Sequence, residues 1–134
     1  MTDKNSAMIS GVHHTAIICS DYERSKSFYI DVLGCRVIDE NYRKERQSYK
    51  LDLAVPGGGQ IELFSFIDPP ARPSHPEACG LRHLAFLTND LDAAVSRIQL
   101  HNIDVEPIRI DPYTNKRFTF FADPDGLPLE LYES

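Results

Sequence analysis

Two histidines and two glutamates stand at matched places in a chain that repeats itself. His14-Thr-Ala-Ile-Ile-Cys-Ser-Asp21 is echoed by His83-Leu-Ala-Phe-Leu-Thr-Asn-Asp90, and Ile61-Glu62-Leu63-Phe64 by Leu129-Glu130-Leu131-Tyr132. The step from His to Glu is 48 residues in the first copy (14 to 62) and 47 in the second (83 to 130). Two imidazoles and two carboxylates suit one divalent metal. With no thiolate in the set, Ni²⁺, Co²⁺, Zn²⁺, Mn²⁺ and Fe²⁺ all fit, and Ni²⁺ or Zn²⁺ is favoured. An octahedral ion with four protein ligands keeps two positions for water or for the vicinal oxygens of a hemithioacetal or hydroxyketone. It would act there as a Lewis acid and stabilise an enediolate. One carboxylate, Glu130 or Glu62, would carry the proton between neighbouring carbons, and the symmetry of the repeat does not choose between them.

Regular elements must bring these four side chains together. Val12 to Cys19 is β-branched and apolar on both faces, which predicts a strand covered on both sides. His14, Ala16 and Ile18 share one face of it. Ser20-Asp-Tyr-Glu23 has capping-box spacing and predicts a helix start. Phe28, Tyr29, Val32 and Leu33 give the helix its apolar stripe, and Gly34 ends it. Strands are expected near 36–42, 48–55 and 60–66, with Pro56-Gly-Gly-Gly59 as a turn. The second half repeats the order: a strand near 82–88, a cap at Asn89/Asp90, a helix with Leu91, Ala94, Val95 and Ile98 on one stripe, then strands near 105–110, 117–121 and 127–132. Asp123-Pro-Asp-Gly126 is the turn before the last strand. Glu62 and Glu130 each sit between two apolar residues. If those neighbours enter a core, the glutamates face whatever the curved sheet encloses.

Two βαβββ modules, at about 10–67 and 80–134, therefore compose a single α+β domain over 10–134, preceded by a loose tail at 1–9. A Pro-rich linker at 68–79 joins them; four prolines between Asp68 and Gly80 exclude a helix or central strand there. Each half is near the lower size limit for a separate core, so the halves share one or complete it against a second chain. The apolar content of 42% and charged content of 25% are those of a soluble globular protein, and the net charge of −6 argues against nucleic acid and anionic membranes. No apolar run is long enough to span a bilayer, and the polar start lacks a signal-peptide core. Cys19, Cys35 and Cys79 have no paired spacing and read as buried apolar residues in a reducing cytoplasm.

The paired units, the His of each first strand, the Glu of each last strand and the Asp-Pro-Asp-Gly turn resemble the vicinal-oxygen-chelate superfamily, and the complete tetrad is most similar to glyoxalase I (lactoylglutathione lyase). The resemblance covers about Ser10 to Glu133. It implies two half-barrels around the metal, with His14, Glu62, His83 and Glu130 as ligands. It also implies a homodimer; the metal site then forms either within one chain or across the interface, where His14 and Glu62 of one chain would join His83 and Glu130 of the other. The activity implied is a metal-dependent lyase or isomerase acting on a thiol–aldehyde hemithioacetal, as in methylglyoxal detoxification. A dioxygenase of the same superfamily, which needs only two His and the late Glu, is the alternative enzyme; a non-catalytic small-molecule binder is the third reading. Bacterial glyoxalase I carries an Arg four residues after the first His and an Asn four after the first Glu. Ile18 and Phe66 stand there instead. An anionic tripeptide would lose charge-assisted hydrogen bonds of about 1.5–3 kcal/mol each, so glutathione dependence is in doubt.

Four further readings concern the rim. Ile18 and Phe66 would line the substrate wall. The polar run Asp111–Arg117 could cover the cavity, with Lys116 or Arg117 meeting a substrate anion. Tyr132 shares a face with Glu130 and could touch substrate or support a ligand. Tyr42–Arg46 reads as an exposed charged turn. His13 should point to the opposite strand face from His14, and neither it nor His75 or His101 is expected to bind metal.

Overall fold

Strand alternation divides each half into a buried and an open face. Ile61 and Leu63 are buried, as are Leu129 and Leu131, and the glutamate between each pair faces away from them. The computed structural model describes residues 6–134. The expected loose tail at 1–9 lies partly outside that range; residues 6–9 are exposed and belong to no helix or strand. The order is β1 (Thr15–Cys19), α1 (Tyr22–Ser27, continued by a wider helical turn over Phe28–Val32), β2 (Arg36–Arg43), β3 (Ser48–Ala54), β4 (Gln60–Ser65), then β5 (Leu84–Thr88), α2 (Leu91–Gln99), β6 (Arg109–Ile110), β7 (Arg117–Ala122) and β8 (Pro128–Glu133). The sheets run β1-β4-β3-β2 and β5-β8-β7-β6. In each, the first strand lies parallel to the last and the other pairings are antiparallel. The two βαβββ units and the α+β class are therefore as the sequence predicts.

Side chains from both halves form one core. Leu51, Leu53, Ile61 and Leu63 of the first sheet join Phe121, Leu129 and Leu131 of the second, together with Phe28, Tyr29 and Val32 after α1 and Leu91 and Ile98 of α2. The Asp123–Gly126 turn fastens the halves. Tyr29 Oη donates to Asp123 Oδ2 at 2.7 Å, while Asp123 Oδ1 accepts from the N–H groups of Asp125 and Leu127 at 2.9 Å each. Ser20 N donates to Asp125 Oδ2 at 3.0 Å, and the Ser20 hydroxyl bonds the same carboxylate. Ser20 is thus spent across the halves, and the helix cap falls one residue later, on Asp21, whose carboxylate accepts from Arg24 N.

Three other expectations shift. β1 is covered on one side only: Ala16 and Ile18 are exposed because the face they share with His14 is open. The predicted strand 105–110 shortens to two residues, since Pro107 has no N–H to give the ladder; Glu106 alone keeps an antiparallel bond, its N–H donating to Phe120 O at 2.9 Å. Cys79 lies exposed in the Pro-rich segment, whereas Cys19 and Cys35 are buried, and burial pushes both of their thiols up to about 11. No helix among the described residues is long and apolar enough to cross a membrane.

Titration of the native protein with a thiol reagent at neutral pH should modify Cys79 rapidly and leave Cys19 and Cys35 protected until denaturant is added. Tyr29→Phe leaves Asp123 Oδ2 without its donor and should cost about 1–3 kcal/mol in denaturant melts. Burial holds the Asp123 carboxyl above the usual carboxylate range. Its contribution to stability is therefore fully present below the unfolded-state value and is lost as pH rises through the folded one. Asp123→Asn should remove that part of the pH dependence.

Candidate metal centre

His14 is the residue just before β1, and His83 the residue just before β5. In register, Ala16 lies opposite Glu62 and Ala85 opposite Glu130. A methyl group beside each glutamate leaves room for the histidine two positions earlier to lean across. His14 Nδ1 lies 3.3 Å from Glu62 Oε2, and His83 Nε2 lies 3.3 Å from Glu130 Oε1. Two ligand atoms about 2.0–2.2 Å from a common cation, at right or tetrahedral angles, are themselves about 3–3.5 Å apart. Each pair therefore has the spacing and donor types of half a metal site. The glutamates are well shielded, with side-chain exposures of 14% and 13%.

The structure brings the four predicted ligands together in twos. No group of three or more His, Cys, Asp or Glu residues placed to hold an ion occurs among the described residues of one chain. The reason lies in the shared core: both sheets turn their apolar faces toward it, so both His/Glu faces turn away.

The two open faces differ in chemistry. On the first, Lys50 Nζ donates to Asp52 at 2.8 Å and lies 3.9 Å from Glu62 Oε1. The hydrogen bond to Asp52, more than any other influence, holds its ammonium above the usual lysine value. Phe64 and Phe66 stack beside them with ring centroids 6.2 Å apart, and the Arg43 guanidinium lies over both rings. On the second face, Phe120 meets His83 edge-on at 5.0 Å, Phe118 stacks on Tyr132 at 6.3 Å, and Arg109 covers Phe118 and Phe120. Among the described residues, no Lys or Arg pairs with Glu130. Arg82 Nη1, at 3.1 Å, donates to His83 Nδ1.

Of the rim residues, Ile18 and Phe66 lie on the first open face, and Tyr132 lies on the second. The Tyr132 hydroxyl donates to Asp111 Oδ2 at 3.0 Å and also bonds Thr114, so it ties down the 111–116 loop. Arg117 is elsewhere. It points from the opposite face of β7 and pairs with Asp92 of α2 at 3.1 Å and with Glu133 at 3.2 Å, while Lys116 donates to the Ser134 carbonyl. The alternation of β7 sends Phe118 and Phe120 to the open face and Arg117 away from it. His13 does not point away from its neighbour: residues 11–14 precede β1, alternation does not bind them, and His13 Nδ1 lies 2.9 Å from His14 Nδ1. His75 is exposed in the linker beside Glu77, and His101 follows α2.

Residues 11–131 match the model of the Glyoxalase/Bleomycin resistance protein/Dioxygenase superfamily. The chain belongs to this superfamily. The uncharacterized protein YaeR of Escherichia coli (strain K12) is 64% identical over 91% of this chain and 95% of its own. A crystal structure of a glyoxalase family protein from Enterococcus faecalis has 46% identity and a TM-score of 0.88, covering 95% of this chain and 100% of that one. A 2-epi-5-epi-valiolone epimerase from an Actinomyces species is 26% identical over 98% of this chain and 83% of its own. At 20% identity, the fosfomycin resistance protein FosX of Listeria monocytogenes, crystallised with Mn(II) and sulfate, shares the fold with a TM-score of 0.74 over 95% of this chain and 94% of that one.

After loading with zinc, manganese or nickel and removal of free ion, elemental analysis should find about one divalent equivalent per chain. Glu62→Gln and Glu130→Gln should each weaken retention by more than about tenfold.

Proposed function

We propose that this protein is a metal-dependent lyase or isomerase of the glyoxalase I kind, acting on a small substrate with vicinal oxygens. A thiol–aldehyde hemithioacetal, as in methylglyoxal detoxification, is the first substrate to test. One observation carries the reading: each module holds an imidazole nitrogen and a carboxylate oxygen 3.3 Å apart on its open face. Members of the superfamily use divalent metal, FosX with Mn(II) among them, and two nitrogen and two oxygen donors fit such an ion here. When bound, the ion would supply Lewis acidity to the substrate's oxygens.

The protein's own groups would do the rest. His14 and His83 would serve as plain ligands. The two half-sites of one chain face away from each other, so the tetrad would close when His14 and Glu62 of one chain meet His83 and Glu130 of a second copy. A homodimer is therefore part of the proposal. Lys50 lies near Glu62, while among the described residues no Lys or Arg pairs with Glu130. Glu130 is thus the freer carboxylate and the choice for taking a proton from carbon and returning it next door. The epimerase relative, which by its name inverts a carbon centre, is compatible with the same proton movement. Ile18 and Phe66 offer no polar contact to glutathione, which favours another thiol or a smaller partner.

Hemithioacetals made from methylglyoxal and several thiols should be turned over by metal-loaded protein and not after chelation. Glu130→Gln should lower turnover about 10²–10⁴-fold. Failure of every thiol adduct in metal-loaded protein would end the hemithioacetal reading, and full activity in Glu62→Gln would favour a three-ligand dioxygenase. Chain pairing has its own test. A chain lacking His14 and Glu62, mixed with one lacking His83 and Glu130, should regain metal binding if the site spans two copies, and stay inactive if it does not.

A further inference from the structure

Arg43 is a cation on the open face of the first module, without a counter-charge among the described residues. Its sequence context, Tyr42-Arg-Lys-Glu-Arg46, reads as an exposed charged turn, and Lys44–Arg46 do form a short exposed one. Arg43 leaves that run. As the last residue of β2 it pairs with Ser48, and its guanidinium carbon lies 4.9 Å from the Phe64 ring centroid and 5.7 Å from that of Phe66. Nη2 donates to Ser48 Oγ at 2.7 Å. Nε is shielded from water and has no hydrogen-bond partner. Among the described residues, no carboxylate pairs with Arg43; Asp52, on the neighbouring strand, is committed to Lys50. Arg109 lies at like distances, 4.9 and 5.7 Å, from the Phe118 and Phe120 ring centroids, but it has its own anion, Glu106, at 3.2 Å.

The two rings attract the half-buried guanidinium, but its shielded Nε–H is costly while no acceptor meets it, and its fork suits a carboxylate or phosphate oxygen pair. Phe64 is two residues beyond Glu62 on the same face of β4, a step of about 6.6–6.8 Å. Arg43, over Phe64, thus stands one such step along the same face from the His14/Glu62 pair. We propose that Arg43 is the specificity residue for substrate charge: the substrate is a compact anion whose acid group pairs with Arg43 while its vicinal oxygens lie at His14 and Glu62. This rests on the metal-site reading above and deepens it. It also gives Phe66 a role, as one of the two rings under Arg43 where a glutathione-type site would carry a polar contact.

The test uses two compounds with the same hydroxyketone head. 5-Hydroxy-4-oxopentanoate ends in a carboxylate, and 1-hydroxy-2-pentanone ends in a methyl group. Calorimetry on zinc-loaded protein should show the carboxylate compound binding at least about tenfold tighter. Arg43→Met should abolish that preference, Arg43→Lys should keep part of it, and Arg46→Met in the exposed turn should keep all of it. In metal-free protein, inorganic phosphate should still shift the Arg43 Nε–H resonance ahead of those of the other arginines. Equal binding of the two compounds (absence of binding included), or a preference that survives Arg43→Met, would overturn the proposal. So would loss of dimer in Arg43→Met without change in preference, because the counter-charge would then come from a second copy. A protein that retains no metal overturns the metal reading alone, and the phosphate titration still decides the role of Arg43. Thermal melts of both Arg43 variants separate loss of recognition from loss of fold.

Discussion

Everything in this molecule follows from the two-residue period of its strands. On β4 and β8 that period sends two apolar side chains into a common core and one carboxylate the other way. The buried leucines and isoleucines hold the sheets in register, because a slip of one position would bury Glu62 or Glu130 and expose the core. The same force that stabilises the fold therefore fixes where the acidic groups stand. The histidines are subject to it less directly. Each sits one residue ahead of its strand, and each reaches its glutamate because the intervening position opposite that glutamate is alanine.

The joining of the halves settles the second half of the geometry. Tyr29 and Asp123 fasten the first helix to the last turn with a buried hydrogen bond, and Ser20 and Asp125 add exposed ones. They act on the side of the sheets opposite the histidines. A shared core on one side leaves two separate open faces on the other, and a small chain gains from this, because pooling the apolar side chains of both halves makes one larger core.

Much of this was legible in the sequence, and the unreadable parts have identifiable causes. The duplication and the spacing of the four ligands predicted both sheets, both helices and the His–Glu pairs, because alternation and repetition are local properties. Ser20 looked like a helix cap; its hydroxyl instead bonds a carboxylate 105 residues away, which no local pattern records. Pro107 did carry a warning that the sixth strand would be short. Arg117 was assigned to the cavity on loop polarity, although the alternation that placed Phe118 and Phe120 on the open face already sent it elsewhere. Lys50, Arg43, Phe118 and Phe120 were missed as site-lining residues. Their faces depend on pairing between strands, and Arg43 was hidden inside a run of charges.

The two open faces arose from one repeated unit but no longer match. One carries Lys50, Asp52 and Arg43; the other is an aromatic wall of Phe118, Phe120 and Tyr132. Where such faces meet around a flat, trigonal carbon, they distinguish its two sides. A hydrogen delivered from the aromatic wall arrives on one side, and one delivered from the charged wall arrives on the other. Divergence between the copies thereby gives a pseudo-symmetric scaffold two unlike sides, and the configuration of a product formed between them would record which copy supplied the donor.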